Sequence, residues 1–113
     1  MSEQTLNALE NLQRIAQGDP TVLSFVRPAI ESSFKESGLD PKTFMLVRIA
    51  ALATLDAAPA SWLMNIEASG EAGLDPDAVL GTLIAILPVI GTARIVSASS
   101  NIMKAFELAA NVE

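Results

Sequence analysis

Three features of the sequence predict an all-α fold. The first is punctuation: three Asp-Pro pairs, each with a glycine just upstream, at Gly18-Asp19-Pro20, Gly38-Leu39-Asp40-Pro41 and Gly73-Leu74-Asp75-Pro76. Each reads as a helix stop followed by a helix start. Glycine supplies a left-handed C-terminal cap, Asp accepts from the free N–H groups of the next first turn, and proline takes the first helical position, where its missing donor costs nothing. The second feature is spacing, because apolar residues recur at helical steps and no alternation of period two survives. The third is a pair of segments that are apolar nearly all round, as helices buried on several sides are.

The elements follow in chain order. Residues 3–17 carry Leu6, Leu9, Leu12 and Ile15 beside Ala8 and Ala16, an amphipathic stripe with a polar opposite face. Residues 21–37 read as two short helical pieces around Pro28, with Val22, Leu23, Phe25 and Val26 leading and Ala29, Ile30 and Phe34 facing inward. A third helix starts at Lys42 after the Asp40 cap, and its run 44–55 contains a single charge, Arg48. Residues 56–60 break the chain, and Pro59 opens a helix over 61–70 that holds Trp62 and Asn65. The stretch 42–73 is the centre of the fold, with the other segments as its packing.

The next helix, 77–87, is again greasy, and Gly81 and Ala85 leave a flat strip on it where another backbone could approach. Pro88 and Gly91 bend or end it. The last helix, 92–110, places Ile95, Ala98 or Ser99, Ile102, Phe106 and Ala109 inward. Leu39 and Leu74, just ahead of their caps, are set to act as hydrophobic staples. One domain over residues 1–113 is expected, since a chain of 113 residues supports a single core.

Composition removes whole classes of chemistry. The chain has no Cys, no His and no Tyr, so thiol redox chemistry, nitrogen or sulfur metal sites and Ser-His or Cys-His nucleophilic pairs are out of reach. No metal and no cofactor are expected. A net charge of -6 repels phosphate backbones, so nucleic acid is not an expected partner. Half of the residues are apolar and mean hydropathy is +0.41, more than a monomer of this size hides easily; contact between identical subunits is expected. The longest uncharged run, 78–93, contains Pro88 and two glycines and is shorter than the roughly 18 residues that span a bilayer. No basic segment precedes an apolar stretch near residue 1, so no signal peptide is expected, and a soluble cytoplasmic protein is the default.

Several segments resemble a known family. Leu46-Val47-Arg48-Ile49-Ala50-Ala51-Leu52-Ala53, the Ala-rich turn 68–73 ending in Ala72-Gly73, the helix start Asp75-Pro76-Asp77-Ala78-Val79 and the Gly91-containing entry to the last helix follow one another as in the carboxymuconolactone decarboxylase superfamily. That superfamily includes the alkylhydroperoxidase D-like proteins. The likeness covers residues 39–106 and implies an alkylhydroperoxidase D-like helical fold, assembled as a homotrimer or homohexamer. It also locates the active positions and shows that they are changed. The family's Cys-x-x-Cys-x-x-x-His motif, counted back from Gly73, falls on Ala58, Ser61 and Asn65, and its upstream glutamate falls on Met45. Peroxide reduction needs an attacking thiolate and a resolving thiol. That reaction is excluded by composition alone.

Two functional readings remain. In one the chain is a diverged, non-peroxidatic homologue, inactive or binding a small apolar or carboxylate ligand in a pocket between the Met45 and Trp62 helices. In the other it is a cofactor-independent decarboxylase or lyase, with Arg48 holding a carboxylate or lactone and Ser61 and Asn65 stabilising an enolate as hydrogen-bond donors. Arg48 reads more simply as a buried stem whose head reaches a carboxylate or water, and Trp62 as core or interface rather than a substrate platform. Glu67 reads as a solvated charge. A third possibility, a membrane-associated hairpin, has the least support.

Overall fold

The computed structural model describes residues 1–19, 21 and 23–112, with side chains through residue 107. Six α-helices form it, and no strand occurs among the described residues. They are α1 (Glu3–Ala16), α2 (Arg27–Ser37), α3 (Pro41–Thr54), α4 (Pro59–Glu71), α5 (Pro76–Ile90) and α6 (Thr92–Val112), with a 3₁₀ turn at Ser24–Val26 leading into α2. Among the described residues no helix is long and apolar enough to cross a membrane.

Two of the Asp-Pro signals act as the sequence predicts. Asp40 and Asp75 sit in extended backbone and accept from the backbone N–H of Thr43 and Ala78, and Pro41 and Pro76 open α3 and α5. Gly38 and Gly73, at φ 69° and 84°, close the preceding helices. The first signal differs. Gly18 ends α1 with φ 73°, but Asp19 accepts from Thr21 N–H two residues on, and among the described residues the next helical element begins at Ser24. Pro20 and Val22 lie outside the described residues. Pro28 sits in the first turn of α2, as the two-piece reading requires. Pro88 bends the expectation more: α5 continues through it to Ile90 and stops at Gly91, φ 93°.

The core is a four-helix arrangement. α4 packs along α6, α3 along α5 and α4, and α5 along α6. Ile49 and Ala53 of α3, Trp62 and Leu63 of α4, Leu83 of α5 and Ala98, Ile102 and Ala105 of α6 form its centre. Full burial of Ile49 and Trp62 contributes roughly 2 to 3 kcal/mol for each side chain. α2 reaches this core only at its edge, where Phe34 meets the Phe44 ring edge-on at 5.1 Å.

Three helices are packed differently within one chain from the outline that the sequence suggests. α3 buries Phe44, Met45, Ile49 and Ala53 but leaves Val47 and Leu55 exposed, so within one chain it is covered on one face only. The inward face of α6 runs through Ala98, Ile102 and Ala105, while Phe106 is 46% exposed and the side chain of Ala109 lies outside the described residues. The larger departure is α1. It buries no residue, and Leu6, Leu9, Leu12 and Ile15 all face solvent. The sequence marks it as packing for the centre of the fold; it projects instead as an arm.

This shape leaves a hydrophobic excess. Sixteen large apolar side chains are exposed among the described residues, against eleven apolar side chains buried. Accessible surface is 7519 Å², where a compact monomer of this mass exposes roughly 6,000 Å². The radius of gyration, 15.5 Å, exceeds the roughly 13 Å of a globule of this length.

Candidate functional site

The sequence-selected polar residues meet on the seam between α3 and α4. Arg48 points from α3 with its stem half-buried. Its guanidinium carbon lies 5.6 Å from the centre of the Phe44 ring, and its Nε donates to Asn65 Oδ1 at 2.9 Å. Asn65, 8% exposed, turns its Nδ2 back to donate to the Ser61 carbonyl at 2.8 Å. One turn further, Ser69 Oγ donates to the Asn65 carbonyl at 2.7 Å.

This ladder follows from helical spacing. Ser61, Asn65 and Ser69 are four residues apart, so they share one face of α4 and can bond along it. Asn65 and Ser69 are the buried polar residues among those described, and burial without partners would cost each about 1 to 3 kcal/mol. Their bonds satisfy that requirement. Ser61 takes part through its backbone carbonyl, and its side chain stands in solvent.

Chemically the seam is a latch. A guanidinium stays protonated and an amide does not titrate near neutrality, so neither carries a proton between partners. The Asn65 oxygen that would accept is held by Arg48, and the nitrogen that would donate is held by Ser61. Met45 and Trp62, on the same two helices, are 6% and 0% exposed. Trp62 Nε1 is buried without a hydrogen-bond partner.

Two cavities lie elsewhere, and neither is lined by Met45, Arg48, Ser61, Trp62 or Asn65. The larger, about 450 Å³, is a groove between α4, α5 and α6, walled by Leu74, Val79, Leu80, Leu83, Ile102 and Phe106. Ser69, Asp75 and Ser99 are the residues with polar side chains in its lining. The smaller, about 280 Å³, separates α4 from the Ser24–Val26 turn and α2, and Arg27, Glu31, Glu67 and Glu71 rim it. Sequence reasoning missed the groove. Its signal was the all-round apolar character of residues 78–87, of which one chain buries Leu83 and half-buries Val79 and Ile86.

The Asp56 turn is held separately. Asp56, at φ 53°, accepts from Ser97 Oγ at 2.5 Å, and Asn101 Nδ2 donates to the Ala57 carbonyl. These bonds tie the α3–α4 connection to α6 and so fix the angle at which α4 leaves. They position the seam and add no reactive group to it.

No family model, no curated protein and no solved structure matches the chain.

Proposed function

We propose that the chain is a cytoplasmic, non-catalytic, self-associating member of the carboxymuconolactone decarboxylase-like superfamily. In it the former reaction site has become a structural latch. The observation that carries this reading is the bond from Arg48 Nε to Asn65 Oδ1, with Asn65 Nδ2 turned back to the Ser61 carbonyl, on a seam that lines neither of the two cavities described. Support for assembly comes from the exposed apolar excess of α1, α3 and α5, which is more than scattered surface residues account for. The resemblance of residues 39–106 implies a trimer or hexamer. Sedimentation equilibrium at micromolar concentration tests it: an oligomer is expected, and a monomer contradicts the reading.

One observation favours a second reading. Arg48, Asn65 and Ser61 do come together, as a lyase using Arg48 to hold a carboxylate would need. In that case substrate must displace the Asn65 bond before Asn65 can donate. Turnover of a carboxymuconolactone-type substrate, lost in Arg48→Ala and in Asn65→Ala, would establish it. Absence of turnover, or turnover indifferent to both changes, leaves the latch.

A further inference from the structure

The exposed stripe of α1 and the apolar groove between α4, α5 and α6 are both without a partner in one chain, and they match in length. The groove runs beside Asp75–Leu83 of α5 and Ser99–Phe106 of α6, about 11 to 12 Å of each helix at ~1.5 Å per residue. From Leu6 to Ile15 the stripe is about 13 Å long on the same rise. Each is two to three turns of helix.

Polar residues on α1 are arranged for insertion. At about 100° per residue, the apolar side chains occupy one half of the helix, and Glu3, Glu10 and Arg14 gather on the opposite side. Gln4 and Asn11 border the stripe on its Ile15 side, Gln13 lies within it between Leu9 and Leu6, and Glu10 borders it on the Leu6 side. One flank of the stripe is therefore made of neutral amides, and the other carries Glu10. With the Gln4–Asn11 flank turned toward Asp75, the amides supply donors for its carboxylate.

The stripe cannot reach the groove of its own chain. α1 is rooted by Gly18, which is buried; a side chain there would stand 3.1 Å from the Ala60 carbonyl oxygen. Ala60 shares a face of α4 with Met64, Glu67 and Glu71, whereas the groove is built on Ile66, Ser69 and Gly70. These faces are roughly 140° apart around α4. A helix anchored on one side of α4 points away from a groove on the other.

We propose that α1 of one copy docks in the α4–α5–α6 groove of a second copy of this chain. The inference rests on the self-association argued above and names its contact. Exchange closed in a pair and exchange passed from copy to copy around a ring both use every arm and every groove once.

Because the chain has no cysteine, the contact can be trapped directly. A Leu9→Cys chain mixed with a Met103→Cys chain and oxidised mildly should give a disulfide joining the two, with Leu9→Cys plus Val47→Cys as the control pair that does not join. A stronger Leu9–Leu9 disulfide, or a disulfide within one chain in the Leu9→Cys/Met103→Cys double variant, overturns the proposal. Leu9→Glu/Leu12→Glu, which touches no buried residue, should weaken association about 100-fold or more while helix content is retained. Wild-type oligomers that persist unchanged in this variant overturn the arm contact and leave self-association standing. A wild-type chain that stays monomeric overturns both.

Discussion

If the Arg48–Asn65 latch is structural, the two side chains must be energetically coupled. Asn65→Ala removes an acceptor for a charged donor at 2.9 Å and a donor to the Ser61 carbonyl at 2.8 Å, in a site 8% exposed. Bonds to charged groups contribute more than neutral ones, and the cost is about 2 to 3 kcal/mol. Arg48→Ala strands the Asn65 oxygen and strips the stem from Phe44, for about 1 to 2 kcal/mol. The double variant should fall short of the sum by about 1 kcal/mol or more, since the shared bond is lost only once. Urea denaturation of the four chains at one fixed protomer concentration measures this, because self-association otherwise shifts apparent stability. Additivity within about 0.3 kcal/mol would refute the latch.

Other outcomes follow from the same packing. Ile49→Ala, at a position with no exposure in the α3–α4–α5–α6 centre, should cost about 2 to 5 kcal/mol by calorimetry, and a loss below about 1 kcal/mol would show that α3 is not held there. The single tryptophan, fully buried with its N–H unpartnered, should emit at short wavelength and resist quenching by acrylamide until the chain unfolds; ready quenching in the native state would contradict that burial. Asp40 is held below its ordinary value of 3.8 by the Thr43 backbone N–H and then by the Thr43 hydroxyl. A lowered native value means that the unfolded chain binds the proton first. The Asp40 contribution is therefore complete above that ordinary value and is lost as pH falls through the native one. Asp40→Ala should flatten the acid limb of stability between about pH 5 and pH 2, and an unchanged limb would show that the cap does not titrate as described.

Local signals made most of the fold legible in the sequence. Gly38, Asp40 and Pro41, like Gly73, Asp75 and Pro76, specify a stop and a start through backbone geometry and need no tertiary context. The same pattern at Gly18 and Asp19 ends α1 but starts no helix, because Asp19 spends its carboxylate on a tight turn at Thr21. Burial was harder to read. A stripe such as Leu6, Leu9, Leu12 and Ile15 states that one face seeks apolar contact and does not say in which chain. The greasy α3 and α5 pose the same question, with Val47, Leu80 and Ile84 left outside.

At the seam, spacing placed Ser61 and Asn65 on one face of α4, and the resemblance singled out both. That Arg48 would close on Asn65 was not readable, because the approach of α3 to α4 depends on the whole core. The groove was missed for the same reason. Ile66, Leu83 and Ile102 come from three helices, and no local periodicity joins them.

Self-association is the claim on which the rest depends, and sedimentation equilibrium of the unaltered chain from about 1 to 100 μM tests it most directly; association free energies near −8 kcal/mol correspond to the lower limit. The account predicts a discrete mass that is a whole multiple of 11.9 kDa. A mass of 11.9 kDa throughout that range would contradict it.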